Sequence, residues 1–173
     1  MGKSGEEWED ACHALLSRPP MAGTRTPASR GLKFLGSYLY QLDEKGRLSL
    51  PAAFRREAAD QRFVLVQAYP PALQLYPEST WAEVEERLME LLRHQPEARM
   101  WALSVLANAT EVVPDGQGRI LVPARLKEAA ELTGSVLLVG LVNRIELWNP
   151  ERFEEAVAAK AAEFERFAPQ IFR

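Results

Sequence analysis

A ten-residue pattern occurs twice in this chain, and that repetition limits what the chain can fold into more than any other feature. Asp43-Glu44-Lys45-Gly46-Arg47-Leu48-Ser49-Leu50-Pro51-Ala52 aligns with Asp115-Gly116-Gln117-Gly118-Arg119-Ile120-Leu121-Val122-Pro123-Ala124. Asp, the second Gly, Arg, Pro and Ala are identical, and Leu48 and Leu50 meet apolar Ile120 and Val122. The likeness continues downstream. Phe63-Val64-Leu65-Val66 resembles Val136-Leu137-Leu138-Val139, Leu73-Gln74-Leu75-Tyr76 resembles Ile145-Glu146-Leu147-Trp148, and a helical segment at 78–92 resembles another at 151–167. The chain is two copies of one unit. A copy of roughly 70 residues buries too little surface to be secure alone, so the halves are expected to interleave around one barrel-like core.

Within a copy the order is strand, turn, strand, short helix. Tyr38, Tyr40 and Leu42 alternate with other residues, and Leu48 and Leu50 resume the alternation after the turn, which predicts a hairpin. Asp43 at the first turn position and Gly46 at the fourth suit a type I turn, with Gly46 and Gly118 able to take the positive φ that closes such loops. Pro51 fits the first turn of a helix over 52–59. Two further strands at 63–66 and 73–76 lead into the clearest helix, which starts after Pro77, repeats Trp81, Val84, Leu88 and Leu91 at helical spacing, and stops at Gln95-Pro96. A shorter helix is expected over 97–107. Trp81, Trp101, Trp148 and Phe153 lie in apolar periodic settings and are read as core or subunit contacts.

Composition narrows the function. Hydrophobic residues at 47% and charged residues at 26% fit a globular chain, and no apolar run approaches the roughly 18 residues that span a bilayer. No secretory signal is recognised, and one cysteine, Cys12, and two histidines, His13 and His94, offer neither a disulfide nor a zinc site. A reducing cytoplasm is therefore expected, with no metal and no cofactor. No nucleophile elbow and no paired acid and base appear, so no enzyme and no small-molecule substrate are expected. A net charge of −3 counts against a simple nucleic-acid binder. The acidic residues, however, concentrate at 6–10, 78–90 and 151–165, and the candidate hairpins are read as locally basic, the second less so than the first.

Phe34-Leu35-Gly36, the doubled Asp-x-x-x-Arg-x-x-x-Pro motif at Asp43, Arg47 and Pro51 and at Asp115, Arg119 and Pro123, and the run 140–148 together resemble the MraZ family of transcriptional regulators over residues 34–165. The resemblance implies an α+β, β-rich fold: two tandem AbrB-like swapped-hairpin half-domains in a pseudo-symmetric double-barrel core with flanking helices. It also implies assembly into a ring-shaped homo-oligomer and binding of double-stranded DNA at direct repeats in the promoter of the division and cell wall gene cluster, hence a nucleoid location. The first AbrB-like domain is placed at 32–96 with its helix, a connecting helix at 97–107, and the second domain at 108–173 with a C-terminal helix. Residues 1–31, rich in Pro, Gly, Ser and Thr, precede the region of resemblance and are expected to form a disordered extension.

On that reading a hairpin enters the major groove as a two-stranded ribbon and offers an arginine fork to guanine. Arg47 is the first choice, with Asp43 holding its guanidinium in direction, and Arg119 with Asp115 is the second. Lys33, Lys45, Arg55 and Arg56 suit phosphate contacts, which set register without reading sequence. The plain alternative makes Asp43 and Asp115 turn-formers and the arginines solvated or internally paired charges. Two other functions remain open: an antitoxin-like protein-binding module of the same fold, and a barrel assembly with no role at DNA.

Overall fold

A computed structural model of the chain describes residues 33–58 and 61–172, so the expected extension over 1–31 lies outside the described residues. The fold is α+β, with antiparallel strands and several flanking helices. The first copy supplies β1 (Ser37–Gln41), β2 (Arg47–Ser49), α1 (Ala52–Glu57), β3 (Phe63–Val66), β4 (Leu73–Pro77) and α2 (Glu78–His94). A 3-10 turn (Pro96–Ala98) and α3 (Arg99–Leu106) lead to the second copy, with β5 (Thr110–Val112), β6 (Arg119–Leu121), α4 (Ala124–Ala129), β7 (Ser135–Leu141), β8 (Arg144–Trp148), α5 (Pro150–Ala159) and α6 (Ala161–Ile171).

The expected turn at 43–46 forms, closed by Gly46 N–H on the Asp43 carbonyl at 2.9 Å. The expected pairing of its two flanking strands does not. β1 pairs with β7 of the other copy, and β2 pairs with β6 of the other copy. The exchange is reciprocal. Tyr38 lies opposite Leu138 in one direction, and Thr110 lies opposite Leu65 in the other, where β5 joins β3. The result is a six-stranded sheet in the order β1-β7-β8-β4-β3-β5 and a separate two-stranded ribbon, β2-β6.

Burial explains why a strand prefers the foreign partner. Leu48 pairs with Ile120 at the centre of the ribbon, and both are fully buried, together with Leu50 and Val122. Pairing within one copy would join only that copy's apolar residues, whereas the ribbon turns the inward side chains of both copies onto one core. That core includes Phe34, Phe54, Phe63, Leu65, Leu73, Leu75, Leu138, Ile145 and Leu147. Burial of apolar surface is worth ~25 cal/mol per Å², so the shared core favours the exchanged pairing.

One further departure lies in the C-terminal helix. The helix expected over 151–167 is interrupted at Lys160, whose φ of −113° and ψ of 13° leave the helical region. Its start is firmly set: the Asn149 side chain accepts from Glu151 N–H at 2.9 Å and Arg152 N–H at 3.3 Å, with Pro150 at the first helical position. Trp81 is buried in a satellite cluster with Val64, Val66 and Tyr76, whereas Trp101 on α3 is 52% exposed and joins no buried cluster among the described residues.

The edge strand β1 is anchored by a bridge in which Phe34 N–H donates to the Val142 carbonyl at 2.8 Å and Val142 N–H returns to the Phe34 carbonyl at 3.0 Å. Gly140 permits that approach, since a Cβ there would lie 2.5 Å from the Phe34 carbonyl carbon. Gly140→Ala should therefore push Phe34 out of the core and cost about 1–3 kcal/mol. Thermal unfolding checks this, and an unchanged midpoint would contradict the role given to Gly140.

Candidate nucleic-acid interface

Both repeated motifs end on the ribbon. In each, the aspartate side chain organises the turn behind it. Asp43 Oδ1 accepts from Lys45 N–H at 2.9 Å and Arg47 N–H at 2.8 Å, while Oδ2 accepts from Arg47 Nε at 2.6 Å. Asp115 repeats the arrangement: Oδ1 accepts from Gln117 N–H at 2.9 Å and Arg119 N–H at 3.0 Å, and Oδ2 from Arg119 Nε at 2.9 Å and Nη2 at 2.7 Å. The turn-former and the arginine-holder are thus one side chain, and the two readings of Asp43 and Asp115 describe a single set of bonds.

The glycines tie the turns to each other. Gly46 and Gly118 both take φ +76°, and their carbonyls accept from Val122 N–H and Leu50 N–H of the opposite copy, each at 2.9 Å. Gly118 has a second function, because a Cβ there would lie 2.6 Å from Arg55 Cζ. Arg55, on α1 of the first copy, therefore lies over the turn of the second, and its Nε donates to the Leu50 carbonyl at 3.3 Å.

β2 and β6 alternate between an inward and an outward face. Leu48 and Ile120 point into the core, so Arg47, Ser49, Arg119 and Leu121 share the outer face of the ribbon. Arg47 lies opposite Leu121 and Arg119 opposite Ser49, which makes the two arginines diagonal neighbours, roughly 7–8 Å apart at the backbone. The side chains of Arg47 and Arg119 keep 33% and 25% of their surface exposed. They differ in what remains to donate. Arg47 gives only Nε to its aspartate and leaves both Nη atoms without a hydrogen bond among the described residues, whereas Arg119 also commits Nη2. Arg47 has the better fork for a planar acceptor pair.

Of the other expected residues, Lys45 stands exposed at the tip of the first turn and Arg56 is exposed on α1. Lys33 lies at the far end of α1, where its backbone N–H donates to Glu57 Oε2 at 3.3 Å. Ser49 and Leu121 were not among the expected residues, although each stands two positions after an arginine and so on the same strand face. Among the described residues no group of three or more His, Cys, Asp or Glu could hold a metal ion, and no helix is long and apolar enough to cross a membrane.

The doubled motif, its duplicated geometry and the comparison with known proteins agree. The chain matches the MraZ protein family, whose description likens it to antitoxins, twice: over residues 33–103 and again over 105–170. The chain belongs to the MraZ family. MraZ relatives include proteins named transcriptional regulator MraZ from Desulfitobacterium hafniense strain DCB-2, 43% identical over 75% of this chain and 94% of the relative, and from Desulforamulus reducens, 38% identical over 80% of this chain and 96% of the relative. A third, from Moorella thermoacetica, is 37% identical over 80% of this chain and 96% of its own length.

The hydrogen bonds at the turns have a consequence in acid. The Arg119 guanidinium and then its backbone N–H hold the Asp115 carboxyl down to about 2, and the Arg47 backbone N–H, with its guanidinium behind it, lowers Asp43 in the same direction. A carboxyl depressed in the folded state stabilises the fold above its unfolded pKa of about 3.9, and that contribution disappears as pH falls through the folded value. Carboxyl-carbon NMR of Asp115 should give a midpoint near 2, and Asp115→Asn should lessen the loss of stability between that pH and 4. A midpoint at the ordinary aspartate value would contradict the geometry.

Proposed function

We propose that the chain is a sequence-specific DNA-binding transcriptional regulator that inserts the β2-β6 ribbon into the major groove. One observation carries the reading: two arginines, each oriented by its own aspartate, share the outer face of a single two-stranded ribbon. A ribbon of this kind fits the B-DNA major groove, and an arginine fork matches guanine O6 and N7. Holding the guanidinium before contact lowers the entropy lost on binding. Lys45, Arg55, Arg56 and Lys33 are assigned to phosphates, where they set the register of the ribbon.

The names of the relatives support a regulator, and the family resemblance supplies the finer reading: direct repeats in the promoter of the division and cell wall cluster, reached in the cytoplasm at the nucleoid. Two tandem half-domains that exchange hairpins, at 32–96 and 108–173 with a connecting helix at 97–107, would place both turns on one ribbon as the double-barrel form requires. Self-association into a ring is part of the same reading. Exposed apolar side chains on α3, Met100, Trp101 and Leu103, and on α6, Phe167 and Ile171, offer two different surfaces, and contacts between unlike surfaces close into rings when the rotation permits. Several ribbons per ring would offset the acidic net charge, because linked sites raise one another's effective concentration.

The test is a gel-shift titration of the purified chain against DNA from upstream of its own gene and a scrambled control, at two salt concentrations. Wild-type binding should favour the specific site and fall steeply with salt. Arg47→Ala should cost about 1–3 kcal/mol on the specific site alone, while Lys45→Ala should weaken both DNAs alike. Absence of binding by the unaltered chain would favour the second reading, an antitoxin-like module for a protein partner, to which the family's description points.

A further inference from the structure

The ribbon's two halves are related by a pseudo-twofold through Leu48 and Ile120, but their outer faces are unequal. Where β2 carries half-buried Ser49, β6 carries Leu121, which is 56% exposed. The register sets Leu121 directly opposite Arg47 and Ser49 directly opposite Arg119. One half therefore presents an arginine beside an apolar side chain, and the other an arginine beside a hydroxyl. The turns break the symmetry in the same sense. Lys45 has Gln117 as its counterpart, and the arginine beside Leu121 is the one with both Nη atoms to spare.

The core does not use Leu121. Ile120 fills the inward position, and Leu121 points from the opposite side of the strand among Arg47, Ser49 and Arg119. An apolar group held on a polar face gains from contact with another apolar group, and the thymine 5-methyl is the apolar feature that a base pair displays in the major groove. Directly opposed residues on a ribbon have Cβ atoms roughly 4.5–5.5 Å apart, which is one to two steps of a helix that rises roughly 3.4 Å per base.

Building on the ribbon reading above, we propose that Leu121 determines specificity by packing on the 5-methyl group of a thymine within two base steps of the guanine that Arg47 reads. Ser49 has no comparable apolar surface, so the ribbon reads its site in one orientation. A truly twofold ribbon would suit a palindrome. This one suits elements that recur in the same direction.

The assignment is tested by binding titrations on the chain's own upstream site with each thymine replaced singly by deoxyuridine, which removes only the methyl group. One replacement should weaken wild-type binding about fourfold, the equivalent of one buried methyl. Leu121→Ser and Leu121→Gln should bind thymine and deoxyuridine there equally and still depend on Arg47, whereas Leu121→Val should keep part of the preference. Exchanging the pair, Ser49→Leu with Leu121→Ser, should move the sensitive thymine to the other side of the site. Specific wild-type binding with no deoxyuridine position that distinguishes wild type from Leu121→Ser would overturn the assignment of Leu121 alone. Absence of specific binding by the unaltered chain would overturn the ribbon reading and this assignment with it.

Discussion

The pairing of β2 with β6 is the interaction on which the rest of the structure depends. It buries Leu48 against Ile120, brings Gly46 and Gly118 of opposite copies into backbone hydrogen bonds with Val122 and Leu50, and sets both arginines on one face. It also separates β2 from β1. Once β2 has a foreign partner, β1 can complete the other copy's sheet at β7, and β5 does the same at β3. A half on its own would lack an edge strand of its sheet and half of its ribbon. A second copy is thus a physical requirement of the fold, since each copy supplies surface that the other cannot bury alone.

The proposed function rests on the same pairing. An arginine on a flexible turn would lose conformational freedom on meeting DNA, but here the aspartate four residues earlier has already fixed its direction. The cost is a partial loss of donors. Among the described residues Arg47 keeps both terminal nitrogens without a hydrogen bond and Arg119 one, so equal motifs in sequence become unequal in space. Arg55 joins the copies at the same place: it can lie over the second turn because residue 118 has no side chain to displace it. The cations on this face come from both copies together, so the net charge of the whole chain gives a poor indication of the charge that the ribbon presents.

Much of this was legible in the residues. Asp-x-x-Gly marked both turns, Pro51 and Pro123 marked helix starts, and the repeat itself implied a shared core. The strand partners were not legible, because a period of two shows which face of a strand is buried and carries no information about which strand lies beside it. The same limit hides Ser49 and Leu121: the turn signals single out the turn tip, while the shared ribbon makes the outward strand positions equally prominent. The break at Lys160 was obscured because Phe153, Val157 and Phe167 still suggest a continuous helix. Arg55 could be placed on a helix but not over Gly118, since that contact joins residues far apart in the chain and depends on the exchange of strands.

The central claim is that both arginines act on one short stretch of DNA because they stand on one ribbon. Methylation interference at guanine N7, comparing wild type with Arg47→Ala and Arg119→Ala on the same upstream fragment, tests it most directly. The account predicts that each variant loses sensitivity at a different guanine and that the two guanines lie within a few base pairs of each other inside every bound element. Lost contacts in separate elements, or an identical interference pattern in all three proteins, would contradict it.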